Sequence, residues 1–208
     1  MDAEHEFADR AYVRKWAETA DQRRPERARM FRRIIELLQA LDGDRPCIVE
    51  LGCGPGTLAQ NVLGRIEQAT YEGFDFSWPM LELARERLAA FGTRAHVHQA
   101  DLRGTEWVKL LNLPVDAVIT NQALHDLGSA DNVASIYNTA HSLLRPKGLF
   151  INAELVVPEG GAANKPGKLP LAHHIALLEK SGFVHVRSDL AFGEYVGIVA
   201  ERSEVQAS

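Results

Sequence analysis

The sequence has little cysteine and no long apolar run. Its 208 residues include two cysteines, Cys47 and Cys53, which form no disulfide framework and match no zinc spacing. No apolar stretch approaches the roughly 18 residues that span a bilayer. The N-terminus, MDAEHEFADR, lacks the apolar core of a signal peptide. These features predict a cytoplasmic protein with reduced thiols and no membrane partner.

An excess of positive charge is also absent, because 23 Lys and Arg face 28 Asp and Glu and the formal net charge is -5. Nucleic-acid-binding proteins draw on clustered Lys and Arg side chains. The one basic concentration, which is interleaved with glutamates, consists of Arg23, Arg24, Arg27, Arg29, Arg32 and Arg33. That mixture is typical of a solvated helix face. The charge pattern therefore disfavours nucleic acid as a partner.

Two amphipathic helices are predicted before residue 46. The first covers residues 5–19, where apolar side chains recur every three or four positions. The second begins near Pro25, runs to about Leu41 and is ended by Gly43. We expect residues 1–45 to form a helical cap and residues 46–208 to form a single globular unit.

From residue 46 onward, short apolar segments alternate with helical patterns of 10–15 residues. The predicted strands are CIVELG, YEGFDF, AHVHQA, VDAVITN, GLFINAELV, VHVRSDL and YVGIVAE. Such alternation is typical of a doubly wound α/β sheet. The last two strands are separated by a few residues and should form a hairpin. The expected fold is a Rossmann-like, mostly parallel seven-stranded sheet with an antiparallel C-terminal hairpin strand.

A glycine loop, ELGCGPGT, follows the first predicted strand. Glycines at this position let the chain turn sharply and let a ligand approach main-chain N–H groups. The dinucleotide pattern needs a small residue where Thr57 stands. Glu50 ends an apolar strand, where a carboxylate is costly to bury without a cationic partner. Asp75 ends the second strand, where an acid can accept hydrogen bonds from ribose hydroxyls.

This set resembles the class I S-adenosylmethionine-dependent methyltransferases. The resemblance covers roughly residues 46–201 through six segments in order, namely ELGCGPG, GFDFSWPMLELARERL, QADLRG, VDAVITNQALHDL, LLRPKGLFINAE and LLEKSGFVHVRSDL. It implies that S-adenosylmethionine is the cofactor and that the protein is a methyltransferase. Two other interpretations stay open at this point: a partner protein that binds S-adenosylmethionine without turnover, and a dinucleotide-dependent oxidoreductase, which Glu50 and Thr57 disfavour.

The resemblance implies cofactor-binding roles for ten residues: Glu50, Gly52, Gly54, Gly56, Asp75, Phe76, Met80, Asp101, Leu102 and Asn121. Glu50 would hold the methionine amino group, Asp75 the ribose hydroxyls and Asp101 the adenine amino group. Phe76 and Met80 would flank the adenine, although core packing would equally account for Met80. Asp101 could instead cap the turn that follows it.

The loop after the fourth strand, NQALHDL, is the predicted place for catalysis, because ligands bind beyond the carboxyl ends of strands in open α/β sheets. His125 is the candidate general base, with packing or structural roles as alternatives. Asp126 either orients His125 or caps the next helix, and we favour the cap. The loop lacks the Asn/Asp-Pro-Pro-aromatic signature of methyltransferases that act on amide or nucleobase amino groups. No cluster has metal-ligand spacing, so no metal is predicted.

The acceptor is predicted to be a small molecule that is methylated on O, N or C. Tyr12 and Trp16 lie four residues apart and share a helix face. They would line an aromatic substrate pocket or, alternatively, pack on the sheet edge. The segment between the fifth strand and the last helix is short, which predicts an open site, or one closed by the N-terminus or by a partner chain in a homo-oligomer. The sequence specifies neither the acceptor nor the oligomeric state.

Overall fold

The computed structural model describes residues 6–204 and contains one seven-stranded sheet. Its strands are β1 (Cys47–Leu51), β2 (Thr70–Asp75), β3 (Ala95–Gln99), β4 (Val115–Asn121), β5 (Leu144–Leu155), β6 (Phe183–Phe192) and β7 (Tyr195–Arg202). They lie in the order β3-β2-β1-β4-β5-β7-β6. Strands β1 to β5 pair in parallel, and β7 is antiparallel to both of its neighbours. The predicted fold class is confirmed.

Helices cover both faces of this sheet. They are α1 (Arg10–Arg23), α2 (Arg27–Gln39), α3 (Thr57–Leu63), α4 (Trp78–Leu88), α5 (Ala130–Leu143) and α6 (Leu171–Lys180). One core layer joins α2, α3 and α4 to the sheet, and the other joins α5 and α6 to its opposite face. The apolar side of α2 is fully buried at Met30, Ile34 and Leu38. Helix α2 is therefore part of the main core.

Helix α1 lies apart from these two layers. The Asp9 carboxylate accepts hydrogen bonds from the Ala11 and Tyr12 amides and caps the helix. The predicted helix over residues 5–19 thus corresponds to α1 from Arg10, and α1 continues to Arg23; residue 5 lies outside the described residues. The apolar residue Phe7 concealed the start of the helix, because it precedes α1 and lines the site cavities from outside the helix.

Two contacts tie this N-terminal segment to α4. The Arg10 guanidinium donates to both carboxylate oxygens of Glu82, at 2.8 Å each. The Ser77 hydroxyl donates to the carbonyl oxygen of Phe7 at 2.6 Å, while its oxygen also accepts the Met80 amide and caps α4. These contacts hold the segment beside the carboxyl end of β2.

The strand order reverses between β1 and β4. In the doubly wound sheets, that switch point is where the loops diverge and leave a crevice for ligands. The carboxyl ends of β1, β2 and β4 lie at this crevice. The glycine loop follows β1, Asp75 ends β2, and His125 lies in the turn after β4. Within residues 6–204, no helix is long and apolar enough to cross a membrane.

Candidate active site

The loop between β1 and α3 adopts a conformation that requires glycine. Gly52, Gly54 and Gly56 all have positive φ angles, of 72°, 52° and 72°, which residues with a side chain rarely adopt. A Cβ atom on Gly52 would also lie 2.3 Å from the Cβ atom of Ala123. The loop therefore passes directly against the turn that follows β4, and a side chain would separate the two.

Nine of the ten residues predicted to bind the cofactor line one cavity above this loop. We call it the glycine-loop cavity, and it is lined by Phe7, Trp16, Arg27, Glu50, Gly52, Cys53, Gly54, Pro55, Thr57, Leu58, Asp75, Phe76, Met80, Ala100, Asp101, Leu102, Arg103, Asn121, Gln122, Ala123, Asp126, Leu127 and Gly128. The tenth residue, Gly56, ends the loop as the N-cap of α3 and does not line the cavity.

Two buried carboxylates face the glycine-loop cavity. Asp75 accepts hydrogen bonds from the amides of Gly54 and Ser77, at 2.8 and 2.9 Å, and burial raises its pKa. Glu50 is 2% exposed, and its carboxylate accepts a hydrogen bond of 2.6 Å from the Tyr71 hydroxyl. Burial raises the pKa of Glu50 to about 8. These acids suit a ligand that carries both hydroxyl groups and a cationic group.

The lining of this cavity also includes apolar side chains and one exposed acid. Met80 is buried, whereas Phe76 is 39% exposed. The Asp101 carboxylate accepts the Arg103 amide at 2.9 Å and pairs with the Arg103 guanidinium at 2.7 Å, which holds the pKa of Asp101 below its usual range. Asp101 thus caps its turn and also lines the cavity. Its partner Arg103 was not predicted from the sequence.

His125 forms a buried pair with Glu154. The Nδ1 atom of His125 lies 2.6 Å from Glu154 Oε1. Glu154 Oε2 accepts the amides of Leu124 and His125, at 2.9 and 3.2 Å. Burial disfavours the charged imidazolium, but the carboxylates of Glu154 and Asp126 outweigh it and raise the pKa of His125. The arrangement strengthens His125 as a base and fixes its orientation.

Asp126 does not cap the next helix, so that prediction is wrong. Ser129 does so instead, because its hydroxyl oxygen accepts the Asn132 amide at 3.1 Å. The Asp126 carboxylate forms an ion pair with Lys165 and lies 3.4 Å from the Nε2 atom of His125. Both candidate roles were local in sequence, whereas Lys165 arrives from a loop 39 residues away.

A second cavity adjoins the first on the side of α1. We call it the arginine cavity, and it is lined by Glu6, Phe7, Tyr12, Trp16, Ala20, Arg23, Arg24, Arg27, Gln122, His125, Asp126, Gly128, Leu155, Lys165 and Pro166. It shares Phe7, Trp16 and Arg27, among others, with the glycine-loop cavity. Tyr12 and Trp16 both line it, as their shared helix face allows. The cavity also contains His125, the predicted base.

Several site residues were missed at the sequence level. Glu154 ends an apolar stretch of β5, which is the same signal that identified Glu50 on β1. Arg27 was included in a solvated helix face, but it is only 5% exposed and lines both cavities. That interpretation is wrong for Arg27, because α2 turns this side chain toward Phe31 and Trp16, whose rings lie 5.2 and 6.0 Å from the guanidinium carbon.

Comparison with known proteins places this site in a family. Residues 48–148 match the family model described as "Methyltransferase domain". Trans-aconitate 2-methyltransferase of Streptomyces coelicolor is 32% identical over 98 residues, which are 47% of this chain and 32% of that protein. A counterpart from Mycolicibacterium gilvum is 38% identical over 95 residues, or 45% of this chain and 33% of its own length. The chain therefore matches about a third of each relative.

Solved structures share the fold over a larger part of the chain. An O-methyltransferase family protein from Burkholderia thailandensis has a TM-score of 0.75 and 19% identity, covering 99% of this chain and 64% of that one. The amino pentose methyltransferase CalS10 from Micromonospora echinaspora, solved with S-adenosylmethionine bound, has a TM-score of 0.68 and 18% identity, covering 84% of this chain and 90% of that one.

The family match extends from β1 into β5 and so contains the glycine loop, both buried acids and the turn that carries His125. A dinucleotide-dependent oxidoreductase does not fit this match. Residues 48–148 therefore form a methyltransferase domain of the S-adenosylmethionine-dependent class, and S-adenosylmethionine is its cofactor.

Proposed function

We propose that the protein transfers a methyl group to an oxygen atom of a small molecule, with His125 as the general base. The observation that carries this proposal is the buried His125–Glu154 pair, whose histidine lines the arginine cavity beside the glycine-loop cavity. A hydroxyl acceptor must lose a proton as it is methylated, and a positioned base accelerates that loss. In this proposal α1, within the N-terminal cap predicted for residues 1–45, closes the acceptor side of a methyltransferase domain predicted for residues 46–208, whereas α2 packs in the core.

The residues of the glycine-loop cavity fit the cofactor chemically. Among the described side chains, Glu50 forms no ion pair, and its carboxyl group stays protonated to about pH 8. The amino group of a bound methionine moiety would supply the missing positive charge. We propose that Asp75 accepts hydrogen bonds from the ribose hydroxyls, that Asn121 lines the methionine side, and that Phe76 borders the adenine. Gly52, Gly54, Met80, Asp101 and Leu102 would complete the binding site.

The proposed base has one nitrogen atom committed to Glu154. With Nδ1–H donating to that carboxylate, Nε2 is the nitrogen that can accept a proton, and it lies 3.4 Å from the Asp126 carboxylate, which also lines the arginine cavity. When bound, S-adenosylmethionine supplies a methyl group on a positively charged sulfur. The acceptor oxygen would take that methyl group, S-adenosylhomocysteine would be the second product, and the hydroxyl proton would pass to Nε2 of His125. Glu154 stabilises the resulting imidazolium without taking the proton itself.

Methylation of a carboxylate is the second candidate. The relative from Streptomyces coelicolor is named a trans-aconitate 2-methyltransferase, and basic side chains line the arginine cavity here. A carboxylate is already deprotonated near neutral pH, so it would need no base. Dependence of the rate on His125 therefore separates the two candidates. A protein that binds the cofactor without turnover would show neither activity. The cytoplasmic location stays a prediction from the sequence.

The first prediction concerns two acids that line the glycine-loop cavity, Asp75 and Asp101. Asp75→Ala should weaken binding of S-adenosylhomocysteine by about 10- to 100-fold, because hydrogen bonds to a buried charged acceptor contribute about 1.5–3 kcal/mol. Asp101→Ala should weaken it less, since the Asp101 side chain is 53% exposed and already pairs with Arg103. Calorimetric titration of both variants measures this, with circular dichroism as the folding control. Equal losses, or a larger loss for Asp101→Ala, would contradict the assignment.

The second prediction concerns the protonation of Glu50. The free protein holds a proton on this carboxyl group at pH 7, and a cofactor amino group should displace it. Binding of S-adenosylhomocysteine should therefore release a proton at pH 7, and affinity should rise between pH 6 and about pH 8. Titration in buffers of different ionisation enthalpy detects the proton. Glu50→Gln should abolish the release, whereas Glu72→Gln, on the neighbouring strand and outside the cavity, should leave it intact.

The same group has a defined effect on stability. Its pKa is raised in the folded state, so the folded protein keeps a proton that the unfolded chain has lost. The contribution of Glu50 to the free energy of unfolding is consequently greatest at low pH and declines as pH rises from 4.5 to about 8. Glu50→Gln should remove this decline in ligand-free protein.

In the binding experiment, proton release that persists in Glu50→Gln would show that a group other than Glu50 loses the proton.

The third prediction tests the base. His125→Ala should lower kcat about 10²- to 10⁴-fold and leave S-adenosylhomocysteine affinity nearly unchanged, once acceptors have been screened with labelled donor. His98→Ala is the matched control, because His98 also contacts a glutamate, Glu72, at 2.7 Å but lines neither cavity. A parallel fall in cofactor affinity would indicate that His125 packs the cofactor site. A lower melting temperature with unchanged single-turnover rate would make it structural.

The dependence of the reaction rate on pH is an independent test of His125 as the base. The rate should fall as pH drops below the raised pKa of His125, because the protonated imidazole accepts no proton. Asp126 contributes to that raised pKa, so Asp126→Asn should move the acidic limb of the profile to lower pH. A limb that stays in place would show that another group controls it.

A further inference from the structure

The arginine cavity carries positive charge in a protein whose net charge is negative. Its lining includes Arg23, Arg24, Arg27 and Lys165 but only two acids, Glu6 and Asp126. The whole chain, by contrast, has a formal net charge of -5. A concave surface of one charge sign concentrates ligands of the opposite sign. The cavity is therefore suited to an anionic ligand.

Arg23 is the basic side chain best placed to meet such a ligand. Lys165 is paired with Asp126, and Arg24 with Glu194 at 3.4 Å. Arg23 donates instead to the carbonyl oxygen of Trp16 at 3.1 Å, and it contacts no carboxylate among the side chains that the structure describes. Its guanidinium presents five N–H groups, so donors remain for a carboxylate, which this planar group can bind through two parallel hydrogen bonds.

Aromatic side chains stand next to this arginine. The guanidinium carbon of Arg23 lies 5.3 Å from the centre of the Trp16 ring. The Phe7 ring lies edge-on to Trp16 and to Tyr12, with centres 5.8 and 5.6 Å apart. All four residues line the arginine cavity. The wall thus offers aromatic surface for a flat ring, with a cation beside it.

We propose that the acceptor is an aromatic hydroxy acid. Its ring would pack against Phe7 and Trp16, its carboxylate would bind Arg23, and its hydroxyl group would face His125. This inference rests on the proposed O-methylation and adds the chemical class of the acceptor. It also distinguishes a carboxylate that anchors the molecule from a carboxylate that receives the methyl group.

The test compares acids with their methyl esters. Hydroxybenzoic, hydroxyphenylacetic and hydroxycinnamic acids, and the methyl ester of each, are titrated by calorimetry into the complex with S-adenosylhomocysteine. At least one acid should bind about tenfold more tightly than its ester, as expected for a charge-assisted hydrogen bond at a partly exposed site. The difference should shrink in high salt, because exposed charges are screened.

Arg23→Gln should weaken binding of the acid about five- to tenfold and leave binding of the ester unchanged. Arg14→Gln is the matched control, because Arg14 is exposed on the same helix, carries the same charge and lines neither cavity. Equal binding of acid and ester, an equal effect of the two substitutions, or binding of neither compound would overturn the proposal.

The two proposals fail in different ways. Acid preference is measured on the complex with demethylated cofactor and needs no turnover, so its absence would leave O-methylation by His125 untouched. Conversely, a rate that is independent of His125 would contradict the proposed function while the Arg23-dependent acid preference persisted.

Discussion

The burial of carboxylates at the carboxyl ends of strands is the constraint on which the site depends. Glu50 is the second-last residue of β1, Asp75 is the last residue of β2, and Glu154 is the second-last residue of β5. All three are less than a tenth exposed. A carboxylate so deeply buried is costly unless it is hydrogen-bonded, neutralised or paired with a cation. All three accept hydrogen bonds, but Glu50 is in addition neutralised by its raised pKa and Glu154 in addition contacts His125. These differences set their chemistry.

Two of the three acids also position a loop. Asp75 binds the Gly54 amide and so fixes the glycine loop against β2. Glu154 binds the amides of Leu124 and His125 and so fixes the turn after β4 against β5. Glu50 binds only a side chain, the Tyr71 hydroxyl. It holds no loop, and its carboxyl group retains the ability to change charge.

Features that depend on local sequence were predictable. Strand β4 begins and ends where the pattern VDAVITN placed it, because a short, mostly apolar segment rich in β-branched residues is typical of a buried parallel strand. The glycine loop was equally clear, since its spacing reflects the backbone conformation of Gly52, Gly54 and Gly56 themselves. Nine of the ten proposed cofactor residues line one cavity, because parallel strands, which the alternating pattern predicted, bring their carboxyl ends to one edge of the sheet.

Features that depend on distant partners were not predictable. The contact between His125 and Glu154 joins residues 29 positions apart, and nothing in the local pattern at Glu154 specifies its partner. Arg27 belongs to a stretch of alternating charges, yet the packing of α2 buries it. Asp126 was assigned to the neighbouring helix because local capping is common, whereas Ser129 and Lys165 decide its surroundings.

The position of the aromatic wall along the chain has an evolutionary consequence. Phe7, Tyr12, Trp16 and Arg23 all precede residue 48, where the family match begins. If this wall selects the acceptor, then the determinants of acceptor choice and those of cofactor use are encoded in separate stretches of the gene. Substitution within the first two dozen codons would then change which molecule is methylated without altering the glycine loop or its buried acids.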